Sequence, residues 1–321
     1  MDSHPDRHSH SHSETRPIKT IAVVGSGALG LYYGGRMAKA GFDVVFLARG
    51  ELGAIRERGV TLSYPKEKYT LHPARAAATA EEIGPVDLVV VALKATANAS
   101  LAKLLPPLLG PETAVVNLQN GLGVDEQVAA VAGAGRTLGC LCFVAVNRVG
   151  PAEVECMQPG YVALGEFAGG ATERTHAVAE VFSRAGVKTQ VAPSLLAARW
   201  HKLVWNVPFN GLSVVEGGMT TDVILQDATR EARVWALMRE VRAVAAAEGV
   251  AIAEDFVVSQ VENTRPMGPY KPSTMLDYLA GKPLELESIW GEPLRRARRL
   301  GVATPELARL HAELVAKTSK S

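Results

Sequence analysis

The 321-residue sequence lacks several features that would point to particular classes of protein. No apolar run approaches the ~20 residues that a membrane-spanning helix needs, and the N-terminus has no apolar segment like that of a secretory signal. The net charge is only +1, so neither nucleic acid nor a membrane surface is an expected partner. We therefore expect a cytoplasmic protein that acts on a small molecule.

Cysteine is scarce as well. Only Cys140, Cys142 and Cys156 occur, an odd number that argues against a disulfide framework. Cys140 and Cys142 lie two residues apart in an apolar, strand-like run, where both side chains are expected to pack on one face. Because no second pair of cysteines or histidines stands at ligand spacing, we predict no metal site.

What the sequence does contain is a glycine-rich turn between a β-branched strand and a helix. The stretch from Ile21 to Ala40 predicts strand, turn and helix in that order. Gly25 permits the tight turn, Gly27 lets the backbone approach a pyrophosphate, and Gly30 lets the helix pack close to the strand. Free N–H groups at the helix N-terminus favour an anion there. The predicted cofactor-binding loop is Gly25, Ser26, Gly27, Ala28, Leu29 and Gly30.

The end of the second strand indicates which dinucleotide is bound. Residues 42–48 form an apolar strand at the spacing of a βαβ unit. Arg49 then stands where an NAD site would place a carboxylate on the ribose 2′-hydroxyl, and an arginine suits a 2′-phosphate. We therefore predict NADPH, the alternative being that Arg49 is a solvated loop cation. Lys94 follows the buried strand at residues 87–93, so it either reaches the cofactor from the carboxyl edge of the sheet or is a simple loop lysine.

The order of apolar segments predicts the fold. An irregular strand-bearing region lies at residues 60–76, and further strand-like runs lie at residues 114–118, 137–147, 161–167 and 187–191, with helices at 97–109 and 173–185. Beyond Pro193, segments with helical periodicity dominate, at residues 194–205, 228–248, 274–279, 288–300 and 304–317. We predict an α/β protein with a Rossmann-type, doubly wound sheet of about eight strands at residues 18–192 and an all-α domain at residues 193–321. The polar, histidine-rich residues 1–17 predict a disordered tail.

Three polar residues share one face of a predicted helix. Lys202, Asn206 and Asn210 are spaced i, i+4 and i+8, which stacks one ammonium and two amides, although Pro208 should distort the last turn. A lysine between tryptophans is costly to bury, so it either extends to water or is kept for a purpose.

Two other candidates are less specific on their own. Asn120 follows the strand at residues 114–118 and faces the expected crevice, or it is only a turn residue before Gly121. Glu285 lies in a predicted first helical turn, where acidic residues usually complement the helix dipole.

Together these motifs resemble the ketopantoate reductase (2-dehydropantoate 2-reductase) family of pantothenate biosynthesis. The resemblance runs from about residue 21 to residue 310. It is carried by Gly25-Ser-Gly-Ala-Leu-Gly30, Leu93-Lys94-Ala95, Asn117-Leu-Gln-Asn-Gly-Leu-Gly123, Trp200-His-Lys-Leu-Val-Trp-Asn206, Ser273-Thr-Met-Leu-Asp277 and Leu284-Glu-Leu-Glu287. Several dispersed motifs in the family's order are more specific than one glycine loop.

The resemblance implies an NADPH-dependent reduction of a 2-oxo acid in a cleft between a Rossmann domain and a helical domain. It implies that Lys202 is the catalytic general acid and that Glu285 is an active-site glutamate. The implied substrate-binding residues are Asn120, Asn206, Asn210 and Thr274, with Asn120 also at the cofactor. Arg49 and Lys94 match the residues at the adenosine 2′-phosphate.

Four departures from the family pattern leave the substrate open. Thr274 stands where many members have serine, the segment 275–285 is one residue shorter, residues 218–221 contain no asparagine, and residues 265–272 form an unusual insert. The alternatives to ketopantoate reduction are another small 2-oxo acid as substrate, or a non-catalytic regulator that binds NADPH. A homodimer is plausible for such enzymes, but no interface stripe is evident.

Overall fold

The computed structural model describes residues 17–319. The predicted histidine-rich tail therefore lies outside the described residues, apart from its last position. Among the residues that are described, no helix is both long enough and apolar enough to span a membrane, and no group of three or more His, Cys, Asp or Glu side chains is arranged to hold a metal ion.

Ten strands form one mixed sheet within residues 17–319. They are β1 (Thr20–Val24), β2 (Asp43–Leu47), β3 (Val60–Ser63), β4 (Lys68–Leu71), β5 (Arg75–Ala77), β6 (Val86–Val91), β7 (Leu109–Asn117), β8 (Thr137–Gly150), β9 (Glu153–Glu166) and β10 (Lys188–Val191). Their order across the sheet is β4-β3-β9-β8-β7-β6-β1-β2-β5, and β10 pairs with β9. The expected number of about eight is too low because the strand-bearing region that begins at residue 60 holds three short, partly exposed strands, β3, β4 and β5, which no apolar run separates in the sequence.

The strands around β1 are parallel and are covered on both faces. β1 pairs in parallel with β2 and β6, and β7 continues the parallel set. Ile21 and Val23 pack in one core cluster while Ala22 and Val24 pack in another on the opposite face, as expected where side chains alternate. The long strands β8 and β9 form an antiparallel hairpin beyond this set.

Helices cover the sheet and then continue without strands to residue 319, where the described part of the chain ends. The helices of the first half are α1 (Ala28–Lys39), α2 (Leu52–Arg58), α3 (Leu101–Leu104), α4 (Val124–Ala132) and α5 (Glu173–Arg184). Those of the second half are α6 (Leu195–Val215), α7 (Thr221–Gln226), α8 (Ala228–Ala247), α9 (Glu254–Thr264), α10 (Ser273–Leu279), α11 (Glu292–Arg299) and α12 (Pro305–Thr318). The predicted α/β fold with a helical second half is confirmed. The boundary at residue 192 and the division of binding roles between the halves stay predictions.

Two helices differ from the sequence prediction because of proline. The helix expected at residues 97–109 is broken into two 3₁₀ segments around α3, since Pro106 and Pro107 lack the N–H that would continue it. By contrast, α6 does not end near residue 205 but runs through Pro208 to Val215.

The two halves join where α6 reaches the sheet. Ser194 caps α6 by accepting the N–H of Ala197. One turn later, Arg199 makes a buried ion pair with Asp125 of α4, with N···O distances of 2.7 and 2.8 Å. Asn117, at the end of β7, donates to the same carboxylate at 2.8 Å. This network fixes the start of α6 at the carboxyl edge of the sheet.

Candidate active site

The glycine turn after β1 leaves an open cradle at the start of α1. Gly25 has a φ of +110°, which residues with a Cβ rarely adopt. A Cβ placed at Gly30 would lie 1.9 Å from the carbonyl oxygen of Gly25, so the helix can approach the strand only without one. At Gly27 nothing lies within 4 Å of the Cβ position. The open space beside the first N–H groups of α1 fits a dinucleotide diphosphate.

A cleft of about 1530 Å³ extends from this turn to the helical half. It is bounded by the glycine turn, by the carboxyl ends of β2, β6 and β7, by the β8–β9 hairpin, and by α6, α9 and α10. Every predicted site residue except Gly30 and Thr274 lines it; those that do are Gly25, Ser26, Gly27, Ala28, Leu29, Arg49, Lys94, Asn120, Lys202, Asn206, Asn210 and Glu285. The structure therefore brings the two distant sets of motifs to one space.

Lys202 lies half-buried in the cleft and is held on two sides. Its Nζ donates to Asn120 Oδ1 and to the carbonyl oxygen of Cys142, both at 2.8 Å. The ammonium also lies 5.0 Å from the centre of the Phe143 ring. Burial lowers the pKa of Lys202 to about 8, because the charged form is poorly solvated there. A lysine with this pKa can exchange a proton near neutral pH.

Charges near Lys202 act on its pKa in opposite directions. The Arg199 guanidinium, one turn earlier on α6, adds to the lowering of the Lys202 pKa, whereas Glu285 opposes it. Because Arg199 is itself neutralised by Asp125, burial remains the dominant cause.

The two amides of α6 continue the face that Lys202 begins. Asn206 and Asn210 are both buried. Asn210 Oδ1 accepts the backbone N–H of Thr274 at 3.1 Å, which ties α6 to the start of α10. Thr274 is buried too. Asn206 and Asn210 therefore line one wall of the cleft, and Thr274 lies behind that wall.

Glu285 is buried beside the sheet edge. Its Oε1 accepts the N–H of Ala95 at 2.8 Å. Lys94 Nζ lies 2.6 Å from Asp277 Oδ2 and 3.5 Å from Glu285 Oε2. Burial lowers the pKa of Lys94, but the charges of Glu285 and Asp277 outweigh it, and the pKa is raised overall. Lys94 thus bridges the sheet to carboxylates of the helical half, and its contact with a 2′-phosphate stays a prediction.

Arg49 stands at another end of the cleft. It is exposed, stands two residues after the end of β2, and lines the cleft together with Gly50 and Glu51. Its contact with a 2′-phosphate stays a prediction.

Several cleft residues were missed by the sequence reasoning. Asp277 ends the motif Ser273-Thr-Met-Leu-Asp277 and is the only acidic residue of α10, so the sequence did offer a signal for this residue. The stacked rings of Phe143 and Tyr161, 4.4 Å apart, had no such signal, because they meet only through the β8–β9 pairing. The cation–carboxylate pair of Arg148 and Glu51 was equally hidden.

Two family models match the chain. The model described as "Ketopantoate reductase PanE/ApbA" matches residues 21–169, and "Ketopantoate reductase PanE/ApbA C terminal" matches residues 194–318. Over 301 residues the chain is 38% identical to the 2-dehydropantoate 2-reductase of Nostoc sp. (strain PCC 7120), covering 92% of this chain and 94% of that protein. It is 29% identical to the enzyme of that name from Mesorhizobium japonicum, covering 89% and 94%.

Solved structures agree with this likeness. The 2-dehydropantoate 2-reductase of Geobacter metallireducens GS-15 is 40% identical and superposes with a TM-score of 0.90, covering 92% of this chain and 99% of that one. The corresponding protein of Methylococcus capsulatus is 36% identical with a TM-score of 0.86, covering 94% and 98%. A D-mandelate dehydrogenase with NADH has a TM-score of 0.86, but at 21% identity, covering 94% and 98%, it shares only the fold.

Proposed function

The chain belongs to the ketopantoate reductase family, an oxidoreductase family acting on CH–OH groups, and from this premise we propose that it reduces 2-dehydropantoate to pantoate with NADPH, in pantothenate biosynthesis. The observation that carries the proposal is Lys202, a half-buried lysine with a pKa of about 8 that faces the same cleft as the glycine turn. A regulator without catalysis would not need such a group.

The cofactor would be held along the sheet edge. The backbone from Gly25 to Gly30 receives the diphosphate, and Arg49 contacts the 2′-phosphate through charge-assisted hydrogen bonds. Lys94 is the second candidate for that phosphate, provided that it leaves Asp277. When bound, NADPH supplies the hydride. The protein's own residues then have to orient the substrate and manage one proton.

Lys202 is the proposed general acid. Reduction of a ketone places negative charge on its oxygen, and an ammonium held at a fixed position stabilises that charge and donates the proton. Asn120 and the carbonyl of Cys142 fix the direction of the ammonium. Glu285, whose charge raises the pKa of Lys202, keeps more of the lysine protonated.

The remaining polar residues position the substrate. Asn206, Asn210 and Thr274 would orient its carboxylate and hydroxyl, and Glu285 would accept the hydroxyl proton in a hydrogen bond. Correct orientation contributes several kcal/mol to such reactions, up to about 7–11 in the best intramolecular cases.

The direct test is the loss of NADPH absorbance when the purified protein meets ketopantoate, with NADH and a panel of other 2-oxo acids in parallel. Fast oxidation of NADPH with ketopantoate alone is expected. Activity with a different 2-oxo acid would assign that substrate instead. Tight NADPH binding without turnover on any 2-oxo acid would favour the regulator.

One observation favours keeping a second substrate in that panel. The insert at residues 265–272 contributes Met267 and Tyr270 to the cleft. The Tyr270 ring lies 6.0 Å from that of Trp205, so this wall is apolar and aromatic. Such a wall suits a 2-oxo acid with a bulky apolar substituent, and 3-methyl-2-oxobutanoate and phenylglyoxylate are therefore the most informative competitors.

We further propose that residues 18–192 bind the cofactor and residues 193–321 the substrate, and that the protein acts in the cytoplasm. A homodimer stays a prediction, which light scattering of the purified protein would test.

A further inference from the structure

The tip of the β8–β9 hairpin lies against the segment that follows β2. Arg148 of β8 donates from Nη1 to Glu51 Oε1 at 2.6 Å. The other carboxylate oxygen of Glu51 accepts the N–H of Ala152 at 2.5 Å. Ala152 has a φ of +56°, which is uncommon for a residue with a Cβ. Glu51 thus holds the hairpin tip in one defined conformation.

This contact has an electrostatic consequence for the cofactor. Glu51 stands two residues after Arg49, and both line the cleft. An unpaired carboxylate at this place would repel a 2′-phosphate. Glu51 is buried, with 11% of its side chain exposed, and Arg148 neutralises it. The side chains of Arg49, Glu51 and Arg148 together carry one net positive charge at this end of the cleft.

Arg148 also has N–H groups beyond the one that contacts Glu51. Its side chain is 41% exposed and lines the cleft. A guanidinium carries five N–H donors in a planar fork, and the contact with Glu51 is made through one nitrogen. The group can therefore keep Glu51 and still present N–H groups to a second anion.

We infer that Arg148 is a specificity-determining residue for NADPH over NADH, acting as a second cation at the 2′-phosphate while it masks Glu51. The inference rests on the proposed use of NADPH. A phosphate near neutral pH carries more than one negative charge, which two arginines balance better than Arg49 alone.

The test measures binding rather than turnover. Dissociation constants for NADPH, NADH, adenosine 2′,5′-bisphosphate and 5′-AMP are measured by fluorescence titration or calorimetry at low ionic strength. Arg148→Gln should weaken NADPH and the bisphosphate about tenfold or more, as loss of a charge-assisted hydrogen bond does. NADH and 5′-AMP should change less than about twofold. Arg49→Gln gives the reference effect for a single cation at this site.

Two further variants separate the direct contact from a disturbed hairpin. Lys68→Gln removes a cation that pairs with Glu153 on the same hairpin but does not line the cleft, so all four constants should stay unchanged. The double variant Arg148→Gln/Glu51→Gln also removes the carboxylate that Arg148→Gln leaves without a cation. Part of the NADPH affinity lost in Arg148→Gln should therefore return in the double variant. Thermal melts without ligand establish that each variant is folded.

The possible results distinguish this inference from the proposed function. Wild-type protein that binds NADPH no better than NADH contradicts the proposed cofactor and with it the inference. A wild-type preference for NADPH that Arg148→Gln leaves intact, or equal weakening of both cofactors, overturns the inference alone.

Discussion

Lys202 shows how one half-buried side chain links the protein's proposed chemistry to pH. In the proposed role of general acid it must be protonated, and its pKa is about 8 because of burial. The rate of reduction, kcat/KM, should therefore be constant at lower pH and fall about tenfold per pH unit above about 8.

A pH–rate profile with ketopantoate and NADPH tests this expectation, since neither compound titrates near pH 8. Lys202→Arg keeps the charge but cannot give up its proton at these pH values, so it should be slow by about 10²-fold or more and show no break. A flat wild-type profile up to pH 10 would contradict the assignment of Lys202 as the acid.

The same lowered pKa makes a prediction about stability. Between about pH 8 and pH 10.5 the unfolded chain keeps a proton on Lys202 that the folded protein has released. Stability rises with pH where the unfolded state binds more protons. The wild type should therefore gain stability over this window relative to Lys202→Met, by up to about 3 kcal/mol at ~1.4 kcal/mol per unit of pKa.

Urea unfolding of both proteins at pH 7.5 and pH 10 measures this difference. Lys68→Met is the control, because its ammonium is exposed and its loss should give no such pH dependence. If the wild-type and Lys202→Met curves shift in parallel, the ammonium is solvated and its pKa is ordinary.

At the scale of elements, α6 carries three polar residues of the candidate site and illustrates what sequence can and cannot predict. The spacing of Lys202, Asn206 and Asn210 predicts a shared face, and all three line the cleft. The predicted end of the helix was wrong. An interior proline costs roughly 3 kcal/mol, so Pro208 was expected to distort the last turn. Burial of Trp200, Val204 and Val207, at about 1.5–3 kcal/mol for each large apolar side chain, offsets that cost. This packing depends on α8 and α12 and is not visible within the helix's own sequence.

The β8–β9 hairpin could be predicted less well. Its strands were expected at residues 137–147 and 161–167, but β9 begins at Glu153 and includes Pro159 and Gly160, residues that usually end a strand. The hairpin nevertheless continues because β3 pairs with its first half. Arg148 consequently reaches the cleft from an element whose extent only the tertiary structure determines.

The docking of α6 supplies a prediction at the same scale. Arg199 and Asp125 are both buried, and removal of one partner leaves an uncompensated charge. Asp125→Ala should therefore lower the free energy of unfolding by about 3–5 kcal/mol. In Arg199→Met/Asp125→Leu both charges are gone, and the loss should be smaller than in Asp125→Ala or in Arg199→Met.

Urea unfolding near pH 7 measures the three variants against the wild type. Surface pairs such as Lys39 with Glu67, both about half exposed or more, provide the contrast: Glu67→Ala should change stability by less than about 1 kcal/mol. An Asp125→Ala effect as small as that of Glu67→Ala would mean that water relieves the unpaired arginine and that the network does not fix α6.

At the scale of the whole molecule, the cleft exists because residues far apart in the chain meet across it. Lys94 reaches Asp277 and Glu285, which are 183 and 191 positions away. No local pattern predicts such a meeting, and only the resemblance to a family placed these motifs in one site. The pairing also changes the charge that an anionic substrate meets, because the Lys94 ammonium offsets one of the two negative charges of Asp277 and Glu285 on the far wall.

Lys94→Ala should therefore raise the KM for ketopantoate about tenfold or more, since two unpaired carboxylates would then repel the substrate carboxylate. The free energy of unfolding should also fall, by about 1–3 kcal/mol, because Glu285 and Asp277 are only 6% and 15% exposed and would lose their cation. Lys103→Ala removes the same charge from the same cleft. There the lysine acts on Glu81, whose pKa is lowered by a backbone hydrogen bond and, to a smaller extent, by the Lys103 charge, so the variant should leave KM nearly unchanged. An unchanged KM in Lys94→Ala together with a weakened affinity for NADPH, but not for NADH, would show instead that Lys94 leaves the carboxylates to bind the 2′-phosphate.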